Sequence, residues 1–342
     1  MRRCVDNGVA FAVVTLLLLL LFVANIFYGS IDIPAAEVWK VLAGPSGEES
    51  VWHTVVLDVR LPQAVTALLA GAAMSVAGLL LQTLFNNPLA GPEVLGINSG
   101  AGLGVALVML FSQSAAIASV VGIDGYMTVL AGAFVGALLV MAVILLLSSM
   151  LNGKVYLLVA GVAIGYLVSS AISVLNYFAT SEGVHSFVVW GMGSLGSVSM
   201  GYLPFFSVTV VVLVAAALMM AKPLNALLLG DAYATNLGVS VMRTRVMLLA
   251  ITGLLAAVVT AFCGPVPFIG LAVPHIARLV LRTDNHRRLL PFSILVGGVV
   301  MLLCNIVCQL PGESGLMPLG AITPLVGAPV IIYVIVNDRS LR

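Results

Sequence analysis

Apolar runs of about 20 residues recur along the whole chain, and each is long enough to cross the hydrocarbon layer of a bilayer as a helix. They fall at residues 8–29, 61–84, 93–112, 125–150, 155–178, 201–221, 244–263, 266–281, 289–310 and 317–336. The eighth is short and interrupted by Pro267 and Pro274. Such breakers are tolerable inside a membrane because neighbouring helices satisfy the freed backbone groups. Only 8% of the residues are charged and 61% are hydrophobic, whereas a water-facing domain carries about 25% charged residues. The chain therefore reads as an all-α membrane protein, one domain over residues 1–342, built as a polytopic bundle of about ten transmembrane helices. Arg2-Arg3 and the run that follows resemble a signal peptide, but the run exceeds the usual 7–15 apolar residues. It is expected to remain as the first span.

Charge tests the count. With the N-terminus inside and the spans alternating, all of the 14 Lys and Arg residues except Lys40 and Arg60 fall inside. Asp32, Glu37, Glu48, Glu49, Asp58, Asp124, Glu182 and Glu313 fall outside. That asymmetry is what the positive-inside rule requires, and one span more or fewer in the middle would scramble it. Both termini are then cytoplasmic. Residues 30–60, with Trp39 and Trp52, form a periplasmic loop; 222–243 form a cytoplasmic loop read as two short helices with a turn at Gly238. The Gly/Ser-rich segment 179–200 reads as a re-entrant or interfacial helix. Gly100 and Gly104, Gly132 and Gly136, and Gly161 and Gly165 repeat at the spacing that lets helix backbones approach closely in lipid.

The chemistry of ion-coupled carriers and enzymes is missing. No Asp, Glu, Lys or Arg falls near the centre of a predicted span, where an ion-coupled secondary transporter usually places one. Gln82, Asn176, His275 and Asn305 are the polar exceptions and are expected to hydrogen-bond between helices. The net charge of +1 and the lack of a long basic run exclude a nucleic-acid face. Cys4, Cys263, Cys304 and Cys308 read as small packing residues rather than metal ligands. Gly153-Lys154 lacks the upstream glycine and the following Ser or Thr of a phosphate-binding loop, so an ATP motor would have to be a separate chain. Ser181, His185 and Ser186, with His53 elsewhere outside, make too weak a neighbourhood for a hydrolytic site. Among the internal loops, 222–243 is long enough to dock a motor.

Five stretches resemble the permease subunits of ABC importers for iron-siderophores, haem and cobalamin. They are RLPQAVTALLAGAAMSVAGLLLQTLFNNPLAGPEVLGINSGAGLG (60–104), LLVAGVAIG (157–165), LGDAYATNLGV (229–239), GPVPFIGLAVPHIARLVLRTDNHRRLLP (264–291) and PLGAITPLVGAPVIIYVI (318–335). They follow the family's order and spacing over nearly the whole chain.

The resemblance implies a type II ABC importer permease fold in the bacterial inner membrane. It implies a permease dimer, here a homodimer, driven by two cytoplasmic ATPase subunits that use ATP and magnesium. A periplasmic substrate-binding protein would deliver the cargo. This chain itself would bind no cofactor or metal. Gly230, Asp231, Ala234, Asn236, Leu237 and Gly238 correspond to the helices that couple to the ATPase. Asn152, Gly153 and Lys154 lie near the cytoplasmic gate. Family members often carry basic groups that receive acids of the binding protein. Here Arg60 is kept, while Gln63 and Gln309 stand at the other two positions, so Arg60 is expected to carry the remaining charge-assisted docking. The cargo is expected to be a ferric siderophore or haem, with cobalamin as the alternative.

Overall fold

The computed structural model describes residues 2–44, 51–111, 125–151, 153–310 and 315–337. In chain order its helices are α1 (Arg2–Phe27), α2 (Ala35–Ala43), α3 (Val51–Phe85), α4 (Ile97–Phe111), α5 (Gly125–Met150), α6 (Lys154–Tyr177) and α7 (Ser181–Gly191). There follow α8 (Leu203–Met219), α9 (Ala221–Leu227), α10 (Asp231–Asn236), α11 (Val241–Cys263), α12 (Ile269–Leu281), α13 (His286–Cys308) and α14 (Leu319–Asn337). Six of them, α1, α3, α5, α6, α11 and α13, are long and apolar enough to cross a membrane. α8 and α9 join as a span bent by 50°, and the shorter apolar helices α4, α12 and α14 complete the expected ten.

Span α3 begins earlier than hydropathy indicates, at Val51 rather than residue 61. Its outer part, Thr54–Arg60, winds as a π-helix. Pro62 follows at the first turn of the α-helical part. It has no N–H to continue the regular ladder, and Leu61 instead donates to Val56 O.

Burial sorts the helices into a centre and a rim. In α3, 83% of the most apolar window is buried, against 17% in α6 and 11% in α1. α13, α12, α11 and α8 pack around α3, α5 packs on α4 and α11, and α1 packs on α13. Lipid tails are as apolar as leucine, so association rests on close packing rather than on escape from water. Glycines supply it. A Cβ on Gly71 would sit 2.1 Å from Gly297 O, and one on Gly104 would sit 1.9 Å from Gly132 O. Gly136 meets Gly100 in the same way, at 2.1 Å. The predicted Gly100/Gly104 and Gly132/Gly136 pairs thus form a single seam between α4 and α5, and Gly161 packs on the Val94 carbonyl.

The closest approach has a covalent cause. Pro274 lies inside α12 and cannot donate to the carbonyl four residues earlier, that of Gly270. That carbonyl packs onto Gly78 of α3, where a Cβ would lie only 1.6 Å from the oxygen.

Between α3 and α4 the chain does not simply turn round at the surface. α3 ends at Asn86 in the left-handed conformation (φ 48°). The connection then climbs until Pro92 rests against Gly270, in the first turn of α12. α12 has 13 residues, about 20 Å of rise, so α4 starts well below the surface. Irregular backbone at that depth survives only inside protein. Here His275 bonds Pro88 O at 2.7 Å, and Glu93 Oε1 accepts from Phe268 N–H at 2.9 Å. Glu93, the first residue of the predicted third span, is carried inward by the re-entry.

Candidate functional site

One end of the bundle gathers the basic residues. There the chain between α8 and α11 forms a small protruding knob. α9 is followed by Gly230 at φ 98° and ψ 156°, a region that only glycine enters without strain. Six residues of α10 follow, and Gly238 at φ 82° ends the unit. The sequence places one turn, at Gly238; the structure has two, with Gly230 separating the short helices. No atom comes within 4 Å of a Cβ built on either glycine, so both serve backbone shape and not packing. Ala234 is fully buried and seats the knob, whereas Leu237 is 59% exposed and Tyr233 57%. The knob therefore presents an apolar tip, and exposed apolar patches mark interaction surfaces.

Two struts tie the knob to the bundle. Lys154, the first residue of α6, puts Nζ 2.8 Å from Asp231 Oδ1. The pair joins a predicted gate residue to a predicted coupling residue. Gly153 caps α6 in an extended conformation, while Asn152 lies outside the described residues. The second strut was not foreseen. Asn225 of α9 accepts at Oδ1 from both His286 N–H (2.8 Å) and His286 Nδ1 (2.9 Å). An amide oxygen only accepts, so Nδ1 carries the proton. Nε2 then accepts from the Thr83 hydroxyl on α3, at 2.7 Å. Asn225, among the apolar residues that end this short helix, was the available sequence signal. Beside it, Gln82 donates to Leu271 O at 3.1 Å and accepts from Arg278, which also pairs with Asp284 at 3.5 Å.

At the far end, two of the three expected docking residues, Arg60 and Gln309, are buried and Gln63 is half-buried. Arg60 is 4% exposed. Its guanidinium donates to Ile26 O (3.1 Å), Phe27 O (2.8 Å) and Ile31 O. Ile26 and Phe27 belong to the last turn of α1, whose carbonyls have no helical donors of their own. A side chain on Gly29 would collide with Arg60 Nε at 2.6 Å, which explains the glycine. Gln63 donates to Asn305 Oδ1 at 3.0 Å, Asn305 donates to Asn25 Oδ1 at 2.7 Å, and Gln309 is 3% exposed. Arg60 and Gln63 thus tie helices together. The face actually presented there includes α2, with Trp39 65% exposed over a small core of Ile26, Ile33, Val38, Val41 and Val56.

The segment read as re-entrant or interfacial contains α7, capped by Thr180, whose hydroxyl accepts from Gly183 N–H. Hydrogen bonds from its own N–H and from Ser181 hold the Glu182 carboxyl below the usual range. α7 roofs a cavity of about 430 Å³ lined in part by Tyr126, His185, Ser186, Trp190 and Phe262. Of the polar span residues, Gln82, His275 and Asn305 bridge elements as expected, while Asn176 Oδ1 has no partner among the described residues.

Three comparisons bear on this arrangement. The model of the FecCD transport family matches residues 17–337. The hemin transport system permease protein HmuU of Yersinia pestis is 34% identical over 97% of this chain and 96% of its own length. The vitamin B12 import system permease protein BtuC of Escherichia coli O127:H6 is 35% identical over 89% of each chain. A metal-chelate type ABC transporter solved in an inward-facing conformation superposes with a TM-score of 0.82, at 28% identity over 96% of this chain and 99% of that one.

Proposed function

Since the chain belongs to the FecCD transport family, we propose that it is the membrane-spanning permease subunit of an ATP-driven importer that carries a metal-chelate compound from periplasm to cytoplasm. The cargo class is a ferric siderophore or haem; cobalamin is the alternative, given the kinship with BtuC. Two ATPase subunits using ATP and magnesium supply the energy, a periplasmic binding protein supplies the cargo, and a second copy of this chain completes the pathway. The basic end is cytoplasmic, in keeping with the positive-inside rule.

The observation that carries this reading is the knob, an exposed tip held on two glycine hinges and strutted to both α6 and α3. Movement of an ATPase cleft around α10 reaches α6 through Asp231 and Lys154. It reaches α3 through α9, Asn225, His286 and Thr83. α3 packs against α13 and α12 with backbone-to-backbone contacts that leave little slack, and against α11, so a push at the tip moves helices as bodies rather than deforming them. Binding-protein docking falls to the far face around α2, with residues 30–60.

Leu237→Glu tests the reading. The variant keeps its thermal stability, because the side chain is mostly exposed, and ATP-driven uptake of hemin or cobalamin into proteoliposomes containing the ATPase falls at least about tenfold, as expected when a charge enters an apolar contact. Undiminished uptake, or uptake by the permease without any ATPase, sinks it. The orientation is checked separately by Leu237→Cys, which a membrane-impermeant maleimide labels only after the inner membrane is opened.

A further inference from the structure

The basic end holds a second feature, on the α1 side of the α12–α13 turn, that the transport reading does not use. A cavity of about 650 Å³ opens between the start of α1 and the α12–α13 turn, lined by Asn7, Leu279, Val280, Arg282, Thr283 and Arg288, with Leu281 at its floor. α1 packs on α13 and α3, whereas α10 packs on α9 and α11. Leu279 and Val280 are about half exposed, as are Val9 and Val13 of the adjoining α1. The cavity therefore has a cationic upper wall and continues downward into a bare apolar surface.

We propose that this cavity seats the phosphate headgroup of an anionic phospholipid, with an acyl chain along Leu279, Val280 and the outer face of α1. Arginine matches a phosphate diester with a planar fork of donors, and Asn7 and Thr283 add neutral hydrogen-bonding capacity. Arg282 has no ion-pair partner among the described residues, and Arg288 brings a second guanidinium to the same wall. Basic pockets between spans at the cytoplasmic surface are where anionic headgroups bind. A soluble anion would gain nothing from the apolar floor; a lipid uses both parts. The proposal rests on the membrane placement in the reading above, and not on its cargo or its motor.

The test uses the full chain in a neutral detergent, without ATPase, titrated with phosphatidylglycerol or phosphatidylcholine and read by native mass spectrometry. Phosphatidylglycerol is expected to bind about fivefold or more tightly than phosphatidylcholine. Arg282→Gln weakens it by about fivefold, the contribution of one basic residue at an anionic surface. Arg287→Gln removes the same charge from a residue beside Arg288 that does not line the cavity, and changes binding less than twofold. Equal losses in the two variants, equal binding of the two lipids, or displacement of the lipid by 10 mM inorganic phosphate would each overturn the site. Lipid binding and ATP-driven uptake are measured apart, so either can fail while the other stands.

Discussion

Glycine does opposite work in the bundle centre and in the knob. At Gly71, Gly78 and Gly297 the missing side chain lets two backbones touch, and nothing larger than hydrogen fits. At Gly230 and Gly238 there is open space all round, and the residue is there for its backbone angles. The centre is rigid because it is filled. The knob keeps its shape because two of its dihedrals lie where other residues are strained. The comparison teaches that the fold separates stiffness from grip: on the proposed function, the centre transmits displacement and the knob receives it.

The largest expected effect attacks the centre. Gly78→Leu drives a side chain into the Gly270 carbonyl, and overpacking of this severity costs more than about 3 kcal/mol. Fluorescence-detected size exclusion should find almost no monodisperse protein; a normal peak would mean that α3 and α12 can part easily, and the stiff-centre picture would fail.

Arg60→Met comes next. It orphans carbonyls at the end of α1, at about 2 kcal/mol, seen as a lower melting temperature that Arg60→Lys partly restores. Should Arg60→Glu instead leave the melting temperature alone and weaken the binding protein at low salt, the docking role expected from sequence would return.

Gly230→Ala is smaller and local, about 1–2 kcal/mol of backbone strain. Hydrogen exchange should quicken in α10 while the global transition stays in place; a shift of the whole transition would erase the distinction between hinge and packing. The smallest effect belongs to Lys154 and Asp231, whose side chains are 23% and 40% exposed. A double-mutant cycle of Lys154→Met and Asp231→Asn should give a coupling below about 1 kcal/mol in stability, with a clear loss in coupled transport.

Much of this architecture is legible in the sequence. Run length and the side on which Lys and Arg fall give ten spans, because hydrocarbon thickness and translocation impose them on every chain of this type. The α4–α5 seam was legible because its glycines repeat every four residues. The Gly71, Gly78 and Gly270 contacts were not: their spacing is irregular, and the carbonyl that Pro274 frees is visible only once α12 is helical. The re-entry at 86–96 escaped for a related reason, since hydropathy cannot tell a buried loop from the first turn of a span. At the knob the resemblance pointed to residues 230–238, while the Asn225–His286–Thr83 strut depends on three segments far apart in sequence. The internal bonds of Arg60 and Gln63 were not legible because a polar side chain at a span end looks the same whether it faces water or a neighbouring helix.

The grip of Arg60 on α1 has a consequence for how the molecule can move. Little of α1 is buried by the rest of the chain, yet one guanidinium bolts its last turn to α3, and Asn25 pins the same turn to the Leu302 carbonyl of α13. A helix fastened at that height cannot slide past its neighbours. It must ride with them, so a probe on this peripheral mast would report every tilt of the hidden axis.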